Sequence, residues 1–218
     1  MTSPIKGEIS VSLIIVDHPL IQHKLTIIRD KNTSPKKFRE VVNEITLLLT
    51  YEATRDLELR EVKIETPLAE TVGKTLSSTN VVIAPILRAG LGMVNGMLNI
   101  FPLAKLAHIG LYRDENSFKP ITYYLNIPND LSGCIVIVVD PMLATAGSLC
   151  AAIDIIKKYN PKQIKAITLI ASPEGRQRLE EKHPDVTVYT GALDERLNEK
   201  AYIIPGLGDA GDRLFGTI

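Results

Sequence analysis

The stretch VVDPMLATAGS, residues 138–148, ends an apolar run with one acid and then a series of small and hydroxylated residues. A strand-to-helix turn in an α/β unit needs only two to six residues and has no need of this composition. Ala144, Ala146 and Gly147 leave room for something to approach the backbone closely. The helix expected to begin near Ser148 offers unpaired N–H groups and a partial positive charge at its start, which together attract an anion. Thr145 and Ser148 add hydroxyl donors. Phosphate binding is the physical reading. Asp140 would repel phosphate at neutral pH, but its carboxylate suits sugar hydroxyls or a metal. Phosphate and hydroxyls together describe a phosphorylated sugar. The bland alternative is an ordinary capped turn, with Ser148 as N-cap and Asp140 at a strand end. The loop lacks GxxxxGK[ST], and GLGMVNG (90–96) does not fit GxGxxG, so neither a Walker A loop nor a dinucleotide fingerprint is present.

Outward from this loop the chain alternates. Apolar runs of strand length stand at VVIAPI (81–86), LAHIGLY (106–112), CIVIVVD (134–140), KAITLIA (165–171) and VTVYT (186–190). Helical segments are expected over Leu91–Ile100, Ser148–Tyr159 and Pro173–His183, the middle one with Leu149, Ala152, Ile153 and Ile156 at spacings of three and four. This alternation predicts an α/β fold, a mainly parallel sheet flanked by helices on both faces. Ligands bind such sheets beyond the carboxyl ends of the strands, and three unusual loops fall there: Leu87–Gly92, Tyr112–Pro120 and Asp140–Ser148. Upstream, one clear helix starts at Ser34–Pro35, an N-cap followed by proline, with Phe38, Val41, Val42, Ile45, Leu48 and Leu49 on one face. Leu57–Pro67 reads as an edge strand or hairpin. Tyr112–Ile127 departs from the rhythm and reads as a β-hairpin arm. Its Phe118, Tyr123 and Tyr124 need a surface to pack on, and a homodimer partner supplies one.

Composition narrows the function classes. The 218 residues and 45% hydrophobic content suffice for one domain with a substantial core. Basic and acidic residues both number 25, so no global field favours nucleic acid or an anionic membrane. Aromatics at 5% and the lack of Trp argue against a base-stacking platform. MTSPIKGEIS shows no signal-peptide pattern, and no apolar run is long enough to span a bilayer, so a soluble, cytoplasmic protein is expected. Cys134 and Cys150 read as buried thiols without zinc spacing, and His18, His23, His108 and His183 show no ligand spacing.

VVDPMLATAGS resembles the phosphoribosyl-pyrophosphate loop of type I phosphoribosyltransferases, and its DPMLAT form resembles that of the uracil phosphoribosyltransferase family. HPLIQHKL (18–25), LLTYEAT (48–54), PILRAGLGM (85–93), LYRDE (111–115), ASPEG (171–175) and YIIPGLGDAGDRLFGT (202–217) agree with it, so the resemblance covers nearly the whole chain. It implies the type I phosphoribosyltransferase fold as a single domain over 1–218. An N-terminal helical extension would span about 1–79, the core about 80–190, and a C-terminal base-binding segment about 191–218. It implies a pentosyltransferase that converts uracil and phosphoribosyl pyrophosphate to UMP and diphosphate with Mg²⁺, in pyrimidine salvage. By matching position, Arg88 and Arg113 would bind the diphosphate and Asp140 the ribose hydroxyls. Pro141, Met142 and Leu143 lead into Ala144, Thr145, Ala146, Gly147 and Ser148, which would hold the 5′-phosphate. Ile203, Gly208 and Ala210 would hold uracil, and Asp209 would reach the ribosyl substrate or its metal. Asp140, Asp209 and Arg88 are the candidate catalytic residues, with Mg²⁺ carried mainly by the substrate. The family commonly forms homo-oligomers and is often activated by GTP.

The chemistry suits these residue types. Breaking the anomeric C–O bond leaves cationic character on the ribose and negative charge on the departing diphosphate, which fixed arginines stabilise where it develops. The planar fork of arginine grips two oxygens at once. Arg88 and Arg113 also have bland readings as solvated charges, and PGLGDAGD as a flexible loop, although its glycines suit close approach to a flat ligand. Ala146 stands where most family loops have glycine, a cost of about 1 kcal/mol if φ is positive there. Two rival readings remain: a nucleic-acid-binding regulator on the same fold, and a transferase for another base such as a purine. The neutral charge weighs against the first and the YIIPGLGDAGD tail against the second.

Overall fold

A computed structural model describes residues 13–113 and 120–217, with Arg113 described in its backbone alone. The chain opens with β1 (Leu13–Ile15), α1 (Pro19–Arg29), α2 (Pro35–Ala53), β2 (Leu59–Glu65) and β3 (Glu70–Leu76). Next come β4 (Val81–Leu87), α3 (Leu91–Leu98), β5 (Lys105–Leu106), β6 (His108–Arg113) and β7 (Pro120–Asn126). The loop of interest lies between β8 (Ile135–Val139), β9 (Met142–Leu143) and α4 (Gly147–Lys157). The chain ends with β10 (Gln163–Ala171), α5 (Pro173–Lys182), β11 (Thr187–Leu193), β12 (Arg196–Leu197), β13 (Ile203–Ile204) and α6 (Ala210–Phe215).

The five expected strands are β4, β6, β8, β10 and β11. They form a sheet in the order β1-β11-β10-β8-β4-β6-β7, parallel except for the antiparallel pair β6–β7 at one edge. Both faces are filled. Val136 and Val138 of β8 join Val82, Ala84, Leu149 and Ile153 on the α4 side. Ile137 and Val139 join Ile83, Phe38, Val41, Met93 and Leu214 on the side covered by α1, α2, α3 and α6. Alternate residues of one short strand therefore serve two cores, which is why the run reads as continuously apolar. Lys165 is the exception inside β10. It is buried, but its ammonium donates to the Ala53 carbonyl at 2.6 Å and pairs with Asp56. Among the described residues no helix is long and apolar enough to cross a membrane.

The N-terminal part holds two helices, where the sequence reading placed one. α1 escaped notice although its signals are ordinary. His18 caps it, Nδ1 accepting from the Leu20 N–H at 3.1 Å, Pro19 sits in the first turn, and Ile21, Leu25 and Ile28 bury one face. The Ser34 cap of α2 is present as expected, accepting from Lys37. Residues 57–67 form the first strand of a separate antiparallel hairpin, β2–β3. The expected arm begins at β6–β7, with Tyr123 and Tyr124 exposed; Phe118 lies outside the described residues.

Because Ile137 is fully enclosed between β4 and β10, truncating it leaves a cavity on the α2 side. We expect Ile137→Ala to lower the unfolding free energy by about 3 kcal/mol in a urea titration. Leu68→Ala, on the exposed β2–β3 turn, should change it by less than about 0.5 kcal/mol.

Candidate active site

Strand register brings the loops together. Pro85 pairs with Val139, so the turns leaving β4 and β8 emerge side by side at the carboxyl edge of the sheet. Gly90 lets them touch: a Cβ there would lie 2.5 Å from the Val139 carbonyl and 2.7 Å from both N and O of Ile86, space no side chain can share. The first turn carries Arg88, whose side chain is 62% exposed. Its one ionic neighbour among the described residues is Asp212, at 3.9 Å. The peptides Leu87–Arg88 and Ile204–Pro205 are cis.

Asp140 follows β8 directly. Its backbone N–H reaches the Ile167 carbonyl at 3.3 Å, and its carboxylate accepts from the Met142 N–H. The side chain is only partly reached by solvent, and desolvation pushes its carboxyl up to about 7 despite that hydrogen bond. Such a group changes charge near neutrality as its surroundings change.

The rest of the loop turns under the start of α4. The first helical bond runs from the Cys150 N–H to the Ala146 carbonyl, which leaves the N–H groups of Gly147, Ser148 and Leu149 without intrahelical partners. Ala146 adopts φ 57°, ψ 4°, the left-handed conformation, so the substitution of alanine for glycine does carry strain. Its methyl is buried in the α4-side core, and burying one such group returns about 0.8 kcal/mol against a strain of about 1 kcal/mol. The two nearly cancel. Pro141 and Leu143 are buried, while Ala144, Thr145 and Ser148 are partly exposed along the crevice. Sequence reasoning gave ASPEG no role of its own, and the structure shows one. Ser172 caps α5, and its hydroxyl donates to the Ala144 carbonyl at 2.6 Å while its N–H donates to the Leu143 carbonyl. Arg178 of α5 reaches the Thr145 carbonyl at 3.2 Å. The loop is held from behind.

The C-terminal tail closes the other side. β13 pairs with β12 as a short antiparallel ribbon, and Asp209 caps α6 by accepting from the Asp212 N–H at 2.9 Å. The side chains of Ile203 and Ala210 are buried in the α2-side core, so only their main chains are available to a ligand. Gly208, exposed at φ 78°, lies between them. A pocket of about 220 Å³ joins Met142 and Ala144 of the loop to Lys200, Ala201, Tyr202 and Ile203. A larger cavity of about 350 Å³ lies elsewhere, against the amino-terminal ends of β8 and β10. Two arginines that sequence reasoning missed anchor the tail. Arg213 donates to the Leu207 and Asp30 carbonyls at 2.8 and 2.6 Å and lies 4.4 Å from the Phe38 ring centre; Arg39 donates to the Leu214 carbonyl at 2.7 Å. Arg113 ends β6, and its side chain lies outside the described residues.

Proteins similar to this chain in sequence or in fold include several named phosphoribosyltransferases. The sequence profile of the uracil phosphoribosyltransferase family matches residues 15–217. A uracil phosphoribosyltransferase from Pediococcus pentosaceus is 57% identical over 203 residues, covering 93% of this chain and 97% of its own. A solved protein from Aquifex aeolicus is 42% identical with a TM-score of 0.88, covering 93% of this chain and 97% of its own. At 11% identity and a TM-score of 0.57, the adenine phosphoribosyltransferase of Trypanosoma brucei shares the fold, covering 89% of each chain.

The raised carboxyl of Asp140 sets a sign for pH. A folded-state value near 7 against 3.8 means that the native protein holds a proton the unfolded chain has lost between those values. Stability from this group is therefore lost as pH rises from about 4 through about 7. Melting curves should show Asp140→Asn level with the parent at about pH 4 or below and more stable by about 1–2 kcal/mol at about pH 8, allowing for water that reaches the crevice.

Proposed function

The chain belongs to the uracil phosphoribosyltransferase family, and from that premise we propose that it transfers the phosphoribosyl group of phosphoribosyl pyrophosphate to a ring nitrogen of uracil, yielding UMP and diphosphate. The observation that carries this reading is the shared sheet edge. The turn with Arg88, the acid at the end of β8 and the start of α4 emerge at one edge of the sheet, and Met142 and Ala144 of the loop share a pocket with residues 200–203 just before the glycine-rich tail. The 5′-phosphate would take the N–H groups and hydroxyls of Thr145–Ser148, with Ala144 and Ala146 shaping its cradle. Asp140 would accept from the ribose hydroxyls, which fixes the anomeric carbon in front of the base. Arg88 would leave Asp212 for the diphosphate and gain strength as charge builds on the leaving group. Arg113 would join it from the β6 end.

The base is read by main chain. Uracil offers a donor at N3 between acceptors at O2 and O4, which suits N–H and C=O groups of the segment Ile203, Gly208 and Ala210. Asp209 stands between the base segment and the ribosyl group. Cytosine presents an acceptor at N3 and an amino donor, so the same fixed groups would meet like partners.

Mg²⁺ fits this donor set as a companion of the diphosphate. Among the described residues no three His, Cys, Asp or Glu side chains gather into a cage. A hard cation of this kind takes substrate phosphate oxygens, waters and one or two carboxylates, and Asp140 or Asp209 would supply the latter. Bound there it would offset the charge of the diphosphate. Homo-oligomerisation rests on the exposed Tyr112, Tyr123, Tyr124 and Leu125 of the β6–β7 ribbon, a surface suited to a second copy of this chain. Activation by GTP rests on family membership and is tested by adding GTP to the assay.

Mixing the protein with Mg²⁺, phosphoribosyl pyrophosphate and a panel of free bases should yield UMP from uracil. Turnover of cytosine should be lower by about 10⁴-fold. Arg88→Ala should lower kcat/KM for phosphoribosyl pyrophosphate by about 10²-fold or more and leave uracil affinity nearly unchanged. Comparable turnover of cytosine, or an Arg88→Ala variant with parental kinetics, contradicts the assignment.

A further inference from the structure

The tail that reads the base is held by a charge pair that neither composition nor spacing revealed. Asp194 follows β11 at the carboxyl edge, its N–H on the Ala171 carbonyl at 2.8 Å and its side chain only 4% exposed. Arg29, the last residue of α1, grips it with both fork nitrogens, Nη1 to Oδ2 at 2.8 Å and Nη2 to Oδ1 at 2.6 Å. Each partner also takes one main-chain group of Gly206. The Gly206 N–H donates to Asp194 Oδ2 at 2.9 Å, and Arg29 Nη1 donates to the Gly206 carbonyl at 2.7 Å. Gly206 follows Pro205 at φ 65°, and a Cβ there would collide with the Ile203 carbonyl.

From this geometry we infer that Arg29 and Asp194 are positioning residues for base recognition. Their ion pair captures both main-chain groups of Gly206 and so sets the height and orientation of the segment from Ile203 to Ala210. The inference rests on the assignment of that segment to uracil. A bidentate pair suits this task because it fixes a plane and not merely a distance. Its burial strengthens both bonds and shields them from water. The end of α1 adds its partial negative charge beside the Arg29 cation. Neither side chain has to touch uracil. They determine where the amides and carbonyls that do touch it stand, and a misplacement of about 1 Å in such groups costs as much as about 10²-fold in rate. The phosphate loop is braced by different groups, Ser172 and Arg178, so disturbing the clamp should spare the ribosyl substrate.

The test separates base from ribosyl substrate. Uracil and cytosine are varied at saturating phosphoribosyl pyrophosphate, and affinity for phosphoribosyl pyrophosphate alone is measured by calorimetry, for the parent and for Arg29→Lys and Gly206→Ala. Lysine keeps the charge and loses the fork; alanine at 206 disturbs the same turn without touching the pair. In Arg29→Lys we expect KM for uracil to rise by about tenfold or more, the uracil-to-cytosine ratio of kcat/KM to narrow, and affinity for phosphoribosyl pyrophosphate to stay within about twofold. A variant weakened only in its fold would lose both affinities together. If Arg29→Lys does not fold, Gly206→Ala must show the same base-selective change. A folded variant that keeps uracil KM and base discrimination overturns the clamp while parental turnover stands. A parent that makes no UMP from uracil overturns the assignment of the segment, and the clamp with it.

Discussion

β8 has no free face. Val136 and Val138 are consumed by the α4-side core, and Ile137 and Val139 by the core under α2, so the strand meets solvent only where it ends. That constraint places everything else. The residue after Val139 is the first that can serve a ligand, and it is Asp140. The parallel register puts the β4 turn with Arg88 and the β10 turn with Ser172 on either side of it. A parallel sheet covered on both sides thus leaves its carboxyl edge as a surface where polar groups from distant parts of the chain can converge.

The site costs stability in small, identifiable ways. Asp140 sits where burial disfavours its charge, and Ala146 sits where its backbone is strained. Neither feature helps the fold; both fit the proposed role of a loop that presents amides and a carboxylate to one ligand. The strain at Ala146 is offset by burying its methyl, which explains how the loop tolerates alanine. The tail is handled differently. It has little regular structure of its own, and three side chains from elsewhere hold its main chain, Arg29, Asp194 and Arg39, together with its own Arg213. An irregular segment fixed at that many points can read a small planar base without large motion.

Much of this was legible in the sequence. The apolar runs gave the strands of the main sheet because a strand buried on both faces needs apolar residues at every position, and the DPMLATAGS composition marked a loop that runs into a helix start. What escaped has a physical reason in each case. α1 was missed because exposed Leu20 and half-buried Ile27 blur the face formed by Ile21, Leu25 and Ile28 in a helix of only 11 residues, although His18 and Pro19 marked its start. Arg29 and Asp194 lie 165 residues apart, and no local pattern reports a pair that forms only when α1 and β11 meet. Lys165, inside an apolar strand, finds its partner in Asp56 from the end of α2 by the same kind of long-range contact. The sequence left the sign of φ at Ala146 open, since alanine reports no backbone angle, and the backbone makes it positive.

The central claim is that one crevice holds the phosphate at the start of α4 and the base against the tail at the same time. A crystal structure with UMP bound tests it most directly. The 5′-phosphate should lie on the N–H groups of residues 145–148, a ribose hydroxyl on Asp140, and the pyrimidine edge within hydrogen-bond distance of main-chain groups of Ile203, Gly208 or Ala210. A nucleotide found with its phosphate away from α4, or with its base turned from the tail into solvent, would contradict it.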